Sequence, residues 1–153
     1  MADGQDRVTF TVCVFQDTEW AKRGIEALSS HGFATEELSF LAKDTPETAA
    51  LAEKTFGVPG SSVEVCGLGA AIVCGRLVGA LQGDDEGLGR SGVAATMRRA
   101  GFQVHDGFIF ETLTARGGIL VAIESEPRAA DALGIFHSFG GGNAAIGAWK
   151  GRV

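Results

Sequence analysis

A chain of 153 residues, 45 % hydrophobic and 21 % charged, is the size of one domain able to bury its own core, which excludes disordered and fibrous classes and makes disulfides or metal unnecessary for folding. Its net charge of −6 and pI near 5.0 repel phosphate backbones and anionic lipid, so neither nucleic acid nor membrane is an expected partner. The compositional outlier is glycine, at 23 residues, against 3 prolines and no tyrosine.

Residues 1–7 are polar and acidic with no apolar h-region, so they read as a flexible start without a secretory signal, and a cytoplasmic location is expected. A single domain follows, with a folded core over residues 8–149 and a tail over 150–153. In Val8–Phe15 both alternating sets are apolar or small, the pattern of a central strand. Asp17 or Thr18 can cap the next helix, where Trp20, Gly24, Ala27 and Leu28 share one side, and Gly32 ends it in a left-handed conformation.

Residues 33–43 read as a second strand with Leu38, Phe40 and Ala42 facing one way. A second helix starts after Thr45 with Pro46 in its first turn and stops at Gly57. The stretch 58–62 is a loop. Residues 63–83 are apolar and glycine-rich, and a strand near 70–74 is expected there because each glycine in a helix costs about 1 kcal/mol relative to alanine. Further along, helices are expected over 91–100, ended by Gly101, and over 106–116, with Ile109, Phe110 and Leu113 inward. An apolar strand over 118–124, a helix over 126–138 with Pro127 in its first turn, and a last edge strand within 140–149 complete the chain.

The two ends share one plan, strand, turn, helix, glycine, strand, over 8–43 and 118–149. Two such units in one sheet predict an α+β, ferredoxin-like two-layer sandwich, an antiparallel or mixed sheet with helices on one face.

Chemistry-bearing motifs are sparse. Gly67 and Gly69 begin a dinucleotide fingerprint, but Ile72 stands where its third glycine belongs, and no Gly-Lys-Ser/Thr or Gly-x-Ser-x-Gly is present. His31, His105 and His137 have no ligand spacing; His31 and His137 suit helix C-termini instead. The acidic run Asp84, Asp85 and Glu86 reads as a solvated loop, and Arg90, Arg98 and Arg99 as a solvated face. No metal, cofactor or catalytic constellation is expected. Cys13, Cys66 and Cys74 sit in apolar runs without Cys-x-x-Cys spacing and read as small buried hydrophobes.

The order of motifs nevertheless resembles a known family. The strand through Val12 and Phe15, Ala27-Leu28 before Gly32-Phe33, Gly67-Leu68-Gly69 with Val73-Cys74-Gly75, Gly101-Phe102, and above all Thr112 to Val121 look like the bacterial general stress protein 17M-like, heat-induced stress protein family. Here the glycine segment is shorter and carries Arg76, and Phe108 and Phe110 stand in the 106–116 helix, which has no tyrosine. The resemblance implies a small α+β stress-associated protein with a glycine-rich middle, no established enzyme activity and no catalytic residues to transfer.

Three modes of action remain open. One is a non-enzymatic homo-oligomer or protein-binding accessory acting through a sheet edge or helix face. A second is a sensor of anionic or nucleotide-like ligands, with Ser61 and Ser62 meeting Gly67, Gly69 and Arg76 in an anion nest. The third is thiol redox chemistry at Cys66 or Cys74.

Overall fold

The computed structural model describes residues 8–124, 128–140 and 145–149. Six strands form one sheet in the order β3-β4-β2-β5-β1-β6, where β1 is Val8–Phe15, β2 Leu38–Lys43, β3 Ser61–Val65, β4 Gly69–Cys74, β5 Ile119–Glu124 and β6 Ala145–Trp149. Every paired neighbour is antiparallel. The helices are α1 (Thr18–Ser30), α2 (Pro46–Phe56), α3 (Arg76–Gln82), α4 (Gly87–Arg99), α5 (Val104–Ala115) and α6 (Ala129–Ser138).

Side-chain alternation along the central strands sends apolar groups to both faces of the sheet. Phe10, Val12 and Val14 of β1 and Leu120 and Ala122 of β5 join a core built with α3, α4 and α5. Phe15, Phe40, Val121 and Ile123 join a second core with α1, α2 and α6. The expected two-layer sandwich with helices on one face is therefore corrected: helices cover both faces. The physical reason lies in β1 and β5 themselves, which are apolar on both sides and would leave one face wet under a single helical layer.

Several elements follow from local signals. Asp17 caps α1 by accepting the Trp20 N–H at 2.9 Å, and Gly32 follows it at φ 89. His31 Nδ1 lies 2.8 Å from Ala27 O, so the ring closes the helix C-terminus as its position suggested. Thr45 caps α2 in a reciprocal box with Thr48, and Gly57 ends it in the left-handed region.

Other elements depart from expectation. The strand over 33–43 begins only at Leu38, after a short 3-10 turn over Thr35–Glu37. The glycine-rich segment holds β4 and also α3, a helix that its glycine content argued against. The helix expected over 91–100 starts at Gly87 and breaks at Gly92, where φ is 89 and ψ −175. On α5, Phe110 is buried and Leu113 partly buried, but Ile109 faces solvent. The helix expected over 126–138 begins at Ala129; Glu126 and Pro127 lie outside the described residues.

The starts of α3 and of both pieces of α4 share one device. None has a side-chain cap of its own, and each second-position N–H donates to a side chain from elsewhere. Leu77 N–H reaches Ser39 Oγ of β2 at 3.0 Å, Leu88 N–H reaches Gln82 Oε1 at 2.9 Å, and Ala94 N–H reaches Glu111 Oε2 of α5 at 3.2 Å. Donors that would stay orphaned at a helix start are thus satisfied by tertiary neighbours.

Candidate functional site

The residues proposed for an anion nest do not converge. Ser61 and Ser62 open β3 opposite Val73 and Ile72, whereas Gly69 pairs with Val65 at the far end of the same hairpin. Four residue steps along the strand separate those ends, about 13 Å. Gly67 and Gly69, at φ 87 and 86, shape the β3–β4 turn. Arg76, at the start of α3, is bound by Glu124 at 2.9 Å and ties α3 to the end of β5. Ser61 instead lines an open groove with Phe56, Pro59, Cys74 and Glu36, whose one charged group is acidic.

The thiols are also spread out. Cys13 is buried, Cys74 partly buried and Cys66 exposed, so Cys66 corrects the expectation of three buried cysteines. Burial pushes the Cys13 thiol well above its usual range and raises Cys74, the latter opposed by a backbone hydrogen bond from Ser61. Cys66 follows β3 and Cys74 ends β4, so they occupy opposite ends of the hairpin, too far apart for a disulfide. In the folded protein a soluble disulfide reagent should modify Cys66 quickly, Cys74 slowly and Cys13 only on unfolding; mass mapping of timed samples checks the order.

Among the described residues no group of three or more His, Cys, Asp or Glu side chains is arranged to hold a metal ion. The acidic loop is partly neutralised from within the chain: Asp85 takes two hydrogen bonds from Arg99, at 2.9 and 3.1 Å. Arg99 also donates to Leu81 O at 2.7 Å, so it braces α3 against α4 rather than standing in a solvated face. No helix among the described residues is long and apolar enough to cross a membrane.

Two surfaces that sequence reasoning missed have the physical character of binding sites. The first is on α5. Gly107 brings this helix so close to α4 that a Cβ there would meet Ala94 O at 3.1 Å, and Phe110 and Thr114 are buried beside it. Val104 and Phe108, one turn apart, are 62 and 64 % exposed, with Ile109 at 42 %. The signal was present in the sequence, since α5 is apolar around most of its circumference and one packed face cannot cover that.

The second is a pocket of about 170 Å³ between α1 and α2. Its floor includes Leu28, Phe33, Leu38, Leu51 and Ile123, all buried side chains of the α1–α2–α6 core. Its mouth carries Lys22 and Glu26 from α1 and Lys54 from α2. The Arg128 guanidinium stacks 4.2 Å from the centre of the Phe33 ring and holds that part of the floor. No local motif announces this pocket, because its members come from α1, α2, β2, β5 and the turn between α1 and β2.

No protein family, characterised protein or solved structure matches the chain. What it presents is an antiparallel α+β scaffold with a concave site on one helical layer and an apolar helix surface on the other.

Proposed function

We propose that this chain is a non-enzymatic, intracellular stress-associated accessory protein of the 17M-like kind that acts by self-association, with α5 as its contact helix. The observation that carries this reading is the exposure of Val104, Phe108 and Ile109 on one helix. Val104 and Phe108 are neighbours on the helix surface, and adjacent apolar side chains facing water are characteristic of association faces. A second copy is the natural occupant because two α5 helices crossing about a twofold axis set apolar against apolar.

The finer fold assignment belongs to the same proposal. We read β6-β1-β5-β2 as a ferredoxin-like unit, in which α1 joins β1 to β2 and α6 joins β5 to β6. The contact between α1 and α6 on one face supports this. Residues 44–118 are then an insertion that adds the β3–β4 hairpin, α2, and a second layer of α3, α4 and α5.

Light scattering on the purified chain tests the contact. A dimer is expected, and Phe108→Glu should weaken it at least about tenfold by placing a charge in the apolar centre. Folding should be unaffected, because surface substitutions usually change stability by less than about 0.5 kcal/mol. A monomer at all concentrations, or a dimer indifferent to Phe108→Glu, would remove α5 as the contact. Cellular abundance should rise under heat stress, and constant abundance would remove the stress assignment.

A further inference from the structure

We infer that the pocket between α1 and α2 binds a small monocarboxylate whose apolar body is the size of one aromatic ring or a short alkyl chain. The inference is independent of association through α5, which belongs to the other helical layer.

Size and polarity of the floor set the body of the ligand. An apolar cavity of about 150 Å³ is large enough to take up benzene, and this pocket offers about 170 Å³ above Leu28, Phe33, Leu38, Leu51 and Ile123. An alkyl or aryl group there replaces water over apolar surface, the favourable part of binding. The floor side chains are already packed in the α1–α2–α6 core, so little ordering of the floor is needed when the ligand enters.

Charge at the mouth sets the head group. Lys22 and Lys54 approach from two different helices, with Glu26 as the one acidic group lining the pocket. Among the described residues none of the three takes part in an ion pair. Among the groups that line the pocket, two cations against one anion leave a single positive charge, which one carboxylate balances and a dianionic phosphate exceeds; the nearby Glu37 carboxylate is engaged by the Ala34 N–H at 3.0 Å. The chain as a whole carries −6, so this local excess runs against its average field. The lysines attach their stems to the pocket rim and keep flexible heads in water, a geometry that closes over a head group while the apolar body lies below.

The test is calorimetric titration of octanoate and 3-phenylpropanoate into the full chain, with octanamide as the uncharged counterpart. One saturable site per chain is expected, in monomer and dimer alike. Lys22→Gln and Lys54→Gln should each weaken binding about threefold to fivefold, the scale of an exposed charge pair, and Glu26→Gln should strengthen it. Leu51→Trp should abolish binding by filling the floor. The surface lysine variants keep the test decisive if that core variant does not fold. Equal affinity for octanamide, indifference to both lysine substitutions, or no saturable binding of either acid up to about 10 mM would overturn the inference.

Discussion

Gly75→Ala should lower stability by more than about 3 kcal/mol, or prevent folding. Gly75 has φ 101 and ψ 172, a backbone region that side chains other than glycine's hydrogen do not tolerate. Strain is only half of the effect. A Cβ at this position would lie 2.5 Å from Leu38 O and from Ser39 Cα, both backbone atoms of β2, which is held between β4 and β5. Moving them apart would also draw Ser39 Oγ from the Leu77 N–H it accepts at 3.0 Å, leaving a buried helix donor unsatisfied. The melting temperature should fall by roughly 6–12 °C if the chain folds at all. Gly79→Ala in the same helix supplies the control with opposite sign. No atom lies within 4 Å of a Cβ there, and the substitution should stabilise by about 0.5–1 kcal/mol through helix propensity. Thermal unfolding of the two variants beside the parent decides both, and a well-tolerated Gly75→Ala would mean that the β4–α3 junction is wrongly described.

The second large effect is expected at Phe15. Its ring is fully buried and meets Phe136 edge to face, with centroids 5.8 Å apart and an interplanar angle of 83°. Phe15→Ala should cost about 3–5 kcal/mol, as for other large-to-small aromatic changes in cores. The ring occupies space that Gly24 of α1 leaves open: a Cβ on Gly24 would strike its Cζ and lie 2.9 Å from its Cε1. Gly24→Ala alone should therefore cost about 1–3 kcal/mol through overpacking. With the ring removed, the same methyl should become neutral or stabilising, since it enters the cavity and α1 gains a better helix former. Urea unfolding of the two single variants and the double variant measures this coupling. Additive effects would contradict the contact between α1 and the end of β1.

Both predictions depend on glycines, yet they were not equally visible beforehand. Gly32 and Gly57 terminate helices by a local rule, and the sequence places them correctly because the signal lies within one turn of chain. Gly75 and Gly92 also adopt left-handed φ values, but they sit at helix starts, where a side-chain cap is usual. The signal that would have exposed α3 belongs to Ser39, 38 residues from Leu77. Its counterpart for the second piece of α4 belongs to Glu111, 17 residues from Ala94. A glycine-rich run judged by intrinsic propensity alone argues against a helix, and these tertiary acceptors are among the contacts that hold one in place.

The candidate sites divide along the same line. The apolar circumference of α5 was present in the sequence and should have argued against assigning Ile109 to the interior. The α1–α2 pocket was not legible, because Lys22 and Lys54 are ordinary exposed helix lysines until folding sets them above a common apolar floor. The Ser61 and Gly67 cluster shows the converse. Residues near one another in sequence are carried to opposite ends of a hairpin by its strand rise, and Arg76 is drawn to Glu124 instead.

The α+β class, the course of β1, α1, α2 and β5, and the glycine ends of the first two helices can all be read from local residue order. Those features depend on alternation, caps and turns within a few residues. The helices on both faces of the sheet, the existence of α3, and the basic-mouthed pocket between α1 and α2 emerge only from folding. Each of these requires groups far apart in the chain to meet, and such meetings depend on how the whole chain packs rather than on any one segment.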